Sequence, residues 1–344
     1  MRKTSESRRS FVGALAAASL AGKSAWAQTA SPPSTGAPIP IRIAWIPGSH
    51  YRLPVAIARD LLTKHGLKAE LIRFTSGPAM NAAFKSGGVD IGMSGPPGVL
   101  TIMSTGAPIK AFMLDNDVST SDGLVVVPGS GIETIKDLKG KSIAMPRGTV
   151  VWVTMIRALK QNGMTLNDVK VVDMGVGPIM AAFKNRDVQA AWVWAPPLFD
   201  LQEMGGKEIV RDSVFGSASN YWFGRSSWVD ANQVAVERYI AAMDEATSIH
   251  KANPAATAKL LSEYLNVGLG SAQRVLNETR YWDLEEMVLP SGNASMLSET
   301  SGAKGILREF AEILNANGIL REMPDLSNVI DAGPLQRYLK TKKR

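Results

Sequence analysis

Residues 68–74 alternate between polar and apolar positions, the period of a half-buried strand, and Ile41-Arg42-Ile43-Ala44-Trp45 forms a shorter strand before them. Between the two, Leu53, Ile57 and Leu61 recur at helical spacing and the run stops at Gly66. The chain therefore opens strand, helix, strand, the beginning of an α/β sheet. Continuous apolar runs at 91–94 and 190–193 predict buried strands, each ended by a Pro-Pro pair that cannot donate to a sheet ladder. Further strands are expected at 123–127, 142–145 and 169–174, with a helix over 150–162 closed by Gly163. From about residue 233 the period becomes helical, at 234–252, 255–265, 272–280, 306–314 and 335–339. This helical third is expected to pack back on the first part of the fold.

The pattern also repeats. Gly77-Pro78-Ala79-Met80 returns as Gly177-Pro178-Ile179-Met180, and the likeness continues from Ala82-Ala83-Phe84-Lys85, Val89 and Pro96-Pro97 to Ala181-Ala182-Phe183-Lys184, Val188 and Pro196-Pro197. Each copy supplies a glycine turn, a short helix and an apolar strand. Two copies cannot build a solenoid, which needs about three or more repeats. Two similar lobes facing each other across a cleft are expected instead, and such a cleft is where a ligand binds.

Composition changes the picture mainly at the N-terminus. Arg2-Lys3, an uncharged run to Gly22 and Ala25-Trp26-Ala27 have the three zones of a secretory signal peptide over residues 1–27. Its apolar run is shorter than the roughly 20 residues a membrane span requires. Ser7-Arg8-Arg9-Ser10-Phe11 resembles the twin-arginine export motif, with Gly13 where a lysine often stands; an ordinary signal peptide with adjacent arginines is the alternative. Removing 1–27 takes away five basic residues and one acidic one, lowering the formal charge from +7 to +3. No basic stripe remains to bind nucleic acid, since the 340–344 cluster is a chain end. Residues 28–38, rich in Pro, Ser and Thr, are expected to be a disordered linker, and the fold starts at Ile39. The absence of cysteine excludes disulfides, thiolate catalysis and cysteine metal sites together.

Over residues 40–230 the chain resembles the periplasmic solute-binding proteins of nitrate, sulfonate and taurine ABC importers. The resemblance is carried by an ordered set: Leu53-Pro54-Val55-Ala56-Ile57-Ala58 before Gly66-Leu67, Phe74-Thr75-Ser76-Gly77-Pro78, Gly87-Gly88-Val89-Asp90-Ile91-Gly92, Asp122-Gly123-Leu124-Val125-Val126, Ile135-Lys136-Asp137-Leu138-Lys139-Gly140-Lys141 and Arg147-Gly148-Thr149. It implies a two-lobed periplasmic binding protein fold of type II, with two crossover strands that close the lobes on a small solute. The crossovers are expected at 123–128 and 221–227. Lobe I would then comprise 39–125 and 226–344, and lobe II 126–225.

In such a fold the loops at the carboxyl ends of the strands meet at the cleft. Ser49, His50 and Tyr51, then Thr75, Ser76 and Gly77, then Ser94 and Gly95 qualify on one side. Arg147, Gly148, Thr149 and Val150, with Gly175 and Trp194, qualify on the other. Free amides at the helix starts favour an anion, and Thr75, Ser76 and Thr149 either cap those helices or donate to the ligand. Family anion sites of this kind often carry polar residues where this chain has Pro96 and Val150-Val151-Trp152. That departure points from nitrate or a small sulfonate toward a bulkier, partly apolar or aromatic ligand. Tyr51, Trp194 and Trp222 would supply faces, and Arg147 or His50 would meet a carboxylate or sulfonate. Trp152 and Trp192, inside regular elements, are expected in the core.

Sharper motifs fail. Met180 stands where a dinucleotide fingerprint needs its third glycine. Pro96 stands where G-x-S-x-G needs its last. The three histidines lie on separate elements. The expectation is a periplasmic, monomeric, non-catalytic binding protein without a cofactor. It would pass a small organic anion to a membrane permease and its cytoplasmic ATPase. The alternatives are a binder of a thiamine-pyrimidine precursor or other flat heterocycle, a sensory subunit, and a pyrimidine-synthase-like enzyme, which relies on a cysteine-rich segment absent here.

Overall fold

The computed structural model describes residues 37–46, 48, 50–74 and 77–343. The signal peptide, with its twin-arginine motif, and nearly all of the linker lie outside them.

Eleven strands among these residues form two mixed sheets. They are β1 (Ile39–Trp45), β2 (Leu67–Arg73), β3 (Ile91–Ser94), β4 (Ile109–Asp117), β5 (Gly123–Val126), β6 (Ser142–Met145), β7 (Lys170–Asp173), β8 (Ala190–Val193), β9 (Lys207–Arg211), β10 (Ser219–Arg225) and β11 (Arg280–Tyr281). The first sheet runs β11-β4-β10-β3-β1-β2 and the second β7-β6-β8-β5-β9. Leaving aside the short β11, the two are one arrangement drawn twice. In each, a repeat strand (β3 or β8) lies between a parallel neighbour (β1 or β6) and an antiparallel one (β10 or β5). That antiparallel strand in turn pairs antiparallel with the last strand before a crossing (β4 or β9).

The repeat strands form because their side chains are apolar and helices cover both faces, so a continuous run replaces alternation. All four residues of β8 are buried. The helices that follow, Pro96–Ser104 and Pro197–Glu203, begin at the Pro-Pro pairs, where proline's fixed φ and missing N–H suit the first turn. The C-terminal helices Gln233–Ala252 and Gly302–Ala316 pack against the first lobe, and the second also touches the helix Val150–Gln161 of the other lobe.

The expected crossovers need correction. β5 lies wholly in the second sheet and β10 wholly in the first, so the chain passes between lobes at 118–122 and 212–218. Short 3-10 turns at Val118–Thr120 and Asp212–Val214 make these passages, rather than strands. Residues 109–117, where the hydrophobic pattern predicts no strand, form β4. Its end, Asp115-Asn116-Asp117, has the polarity of a loop but is buried.

Candidate functional site

β10 is antiparallel to both β3 and β4, so those two strands point the same way, and the start of β10 lies beside their carboxyl ends. Ser94, Gly95, Asn116 and Asn220 thereby share one edge of the first lobe. Asn220 stands between Ser219 and Tyr221, opposite an irregular stretch of β4 that carries one extra residue, and its Nδ2 donates to Asn116 Oδ1 at 2.9 Å. Across from this edge is the start of the helix Val150–Gln161. A Cβ on Gly95 would stand 2.9 Å from Val150 Cγ2 and 3.5 Å from Asn220 Oδ1, so only glycine lets the lobes approach this closely.

The second-lobe side is rich in donors. The N–H groups of Val150, Val151 and Trp152 have no acceptor among the described residues; the first bonded one is Val153 N–H, to Thr149 O at 3.2 Å. Gly148 has φ +73°, a left-handed turn that brings Arg147 and Thr149 to the helix start. Arg147 is exposed, and its Nη2 reaches Asn317 O at 3.4 Å, which leaves donors of its fork for a ligand. The Thr149 hydroxyl makes no cap and donates to Pro146 O at 2.7 Å. Gly175 caps the helix Val176–Asn185 and faces open space. Trp194, half-buried after β8, has no aromatic partner and no acceptor for its indole N–H among the described residues.

The first-lobe helix at Pro96 is different. Pro96 and Pro97 have no N–H, and Gly98 and Val99 both donate to Gly95 O. Its first turn therefore offers an anion almost nothing.

Three expected contacts lie elsewhere. His50 is 1% exposed, and burial lowers its pKa despite the Asp115 charge, so the ring is neutral and enclosed rather than a cation for a ligand. Tyr51 is packed between His250 and Tyr281 at ring distances of 4.3 and 4.5 Å. Trp222 is 0% exposed, edge-on to Tyr239 at 5.0 Å, with its N–H given to Asp115 Oδ1 at 3.3 Å. Both rings belong to the first lobe's core and present no free face. Trp152 and Trp192 are buried as expected. Gly77 starts the helix Gly77–Ser86, while Ser49, Thr75 and Ser76 lie outside the described residues.

Asn116 and Asn220 were missed by sequence reasoning. The rule that sites lie at carboxyl ends of strands overlooks Asn220, which stands at the amino end of an antiparallel strand. The signal available was polarity directly before the apolar run of β10.

Beneath the cleft the two crossings run side by side. Val118 N–H donates to Ala218 O at 2.9 Å, Ala218 N–H to Asp117 Oδ1 at 3.0 Å, and Asp212 N–H to Asp122 O at 3.0 Å. Asp122 and Asp212 are buried there, each with one carboxyl oxygen unpaired. On one flank, Arg157 grips Glu309 with bonds of 2.8 and 2.6 Å; on the other, Arg211 reaches Glu278 at 2.6 Å.

Two lobes built on matching sheets, joined by a double crossing and meeting at helix starts, define the periplasmic binding-protein architecture. The chain belongs to the NMT1/THI5-like family, whose model matches residues 48–257. It is similar to a binding protein of Brucella abortus (strain 2308), 30% identical over 286 residues that make up 80% of this chain and 87% of that one. The taurine-binding periplasmic protein of Escherichia coli (strain K12) is 29% identical over 206 residues, 58% of this chain and 63% of that one. Among solved structures, the periplasmic aliphatic sulphonate binding protein SsuA from Escherichia coli superposes with a TM-score of 0.75 at 20% identity, covering 86% of this chain and 92% of that one, which shows the shared fold.

Proposed function

We propose that this protein is the exported, periplasmic solute-binding component of an ABC import system and binds a small organic anion, a sulfonate or carboxylate, between its lobes. It delivers that ligand, as a monomer and without catalysis, to a permease driven by an ATPase. One observation carries the reading: the unpaired amides of Val150, Val151 and Trp152, beside the exposed Arg147, sit where the second lobe touches Gly95 of the first. Oriented amides and a guanidinium stabilise an anion through charge-assisted hydrogen bonds. Relatives named for binding, and for taurine and sulfonates, support the same class. The unstacked Trp194 also suits a flat ring, so pyrimidines form the second reading.

A thermal-shift screen of sulfonates, aromatic carboxylates, nitrate and pyrimidines tests this, because a ligand that binds only the native state raises the melting temperature. Sulfonates or carboxylates should stabilise the protein, and Arg147→Ala should weaken their binding roughly tenfold or more by calorimetry. Stabilisation by pyrimidines alone would transfer the assignment to the second reading.

A further inference from the structure

We infer that Asn220 makes the site selective for anions that also carry a hydrogen-bond donor, a hydroxyl or an ammonium group, a short distance from the charge. The inference rests on the anion reading above and specifies its ligand class.

The register shift between Ser219 and Tyr221 sets Asn220 alone against Asp115 and Asn116 of β4, outside the regular ladder pairing. Its Nδ2 is committed to Asn116 Oδ1, which fixes the amide plane. The other end, Oδ1, has no donor among the described residues and lies at the seam, 3.5 Å from the point a Cβ on Gly95 would occupy and close to Val150 on the facing lobe. The backbone at 96–99 does not supply the missing donor. Pro96 and Pro97 have no N–H, and Gly98 and Val99 are bonded to Gly95 O. Ser94, at the end of β3, brings a hydroxyl to this edge, and no bond fixes its orientation among the described residues.

The seam is thus polarised. The second lobe offers N–H groups and a guanidinium, which suit a negative head group. Across the contact between Gly95 and Val150, the first lobe offers the Asn220 amide oxygen, which accepts. When the lobes close on a ligand that oxygen loses water, and it costs free energy unless the ligand donates to it. A site built around a hydrogen-bonding group rejects the analogue that lacks it far more strongly than an apolar pocket rejects a missing methylene. Nitrate and simple alkanesulfonates satisfy one half of the seam. An amino- or hydroxy-substituted sulfonate or carboxylate satisfies both.

The test is calorimetry of the folded protein with matched probes: ethanesulfonate against taurine and isethionate, and benzenesulfonate against hydroxybenzenesulfonate. The donor-bearing member of at least one set should bind roughly tenfold or more tightly than its parent, and Asn220→Leu should bring that ratio near one. Asn220→Asp, which keeps an acceptor and adds charge, should retain the preference and shift it toward taurine over isethionate; this second variant covers the chance that the leucine disturbs folding. Equal affinities within every set in the wild-type protein, or a ratio unmoved by Asn220→Leu, overturn the inference and leave the anion reading standing. Absence of binding by all the sulfonates and by the corresponding carboxylates overturns both.

Discussion

Trp194 is an indole with no ring stacked on it and no acceptor on its N–H among the described residues, half-buried directly after β8. Such a side chain reports on whatever closes over it. Ligand binding should change tryptophan fluorescence, and Trp194→Phe should remove most of that change while the protein stays folded. Trp222 provides the contrast. Its N–H is spent on Asp115 and its ring on Tyr239, inside the first lobe. Trp222→Ala should therefore cost about 3–5 kcal/mol of stability, read by denaturant unfolding, as deletion of a large buried aromatic does. If Trp222→Phe silenced the ligand signal and Trp194→Phe left it intact, the assignment of the two indoles would be reversed.

At the scale of elements, the informative contact is between the start of one helix and the strand end of the opposite lobe. Val150 is β-branched and stands in the first turn of its helix, so its rotamer has little freedom to retreat from a new methyl group at Gly95. Gly95→Ala should hold the lobes slightly apart and weaken ligand binding by about 1–2 kcal/mol, near the usual cost of one overpacked methyl. Val150→Ala, placed in the same chain, should restore most of the loss, because it removes the atom that the new Cβ meets. Affinity that does not recover in the double variant would mean that the seam does not set closure. The helix starting at Pro96 teaches a related point. A helix N-terminus is an anion site only when its first residues have N–H groups to give, and two prolines remove them.

For the whole molecule, the double crossing links folding to pH. Burial pushes up both Asp122 and Asp212, and the charges of Asp212 and Asp117 push Asp122 further. The Trp192 indole N–H and the Arg157 and Arg211 charges draw Asp212 back, to about 7. In the unfolded chain an aspartate titrates near about 3.9. The native state thus holds protons that unfolding releases, so Asp212's contribution to stability falls as pH rises from about 4 to 7 and is regained on acidification, and Asp122 acts in the same direction. His50 and His250, lowered by burial, act in the opposite sense below about pH 6.5, so the comparison must be between variants. Asp212→Asn, which can keep an oxygen facing Trp192, should make unfolding free energy less favoured by acid than in the wild type over that window. Parallel pH profiles for the two proteins would remove Asp212 from the linkage.

Much of this architecture was present in local pattern. Continuous apolar runs ended by prolines marked β3 and β8, and the repeated Gly-Pro-x-Met segments marked the two equivalent halves, because periodicity and chain-breaking chemistry are properties of neighbours in sequence. The glycine loops at 95, 148 and 175 followed for the same reason. What neighbours in sequence could not show was which polar residues the fold would enclose. Asp115-Asn116-Asp117 has the composition of a loop, yet Arg52, Ala218 and Asn220, all distant in sequence, turn it into the end of a central strand. The same long-range packing enclosed His50, Tyr51 and Trp222, and set Asn220, at the amino end of an antiparallel strand, beside Gly95. Local pattern was enough to mark two lobes and the loops at their strand ends. Which side chains stay free at the seam is set by packing between distant segments, because a hydrogen-bonding group is available to a ligand only when no distant partner has already taken it.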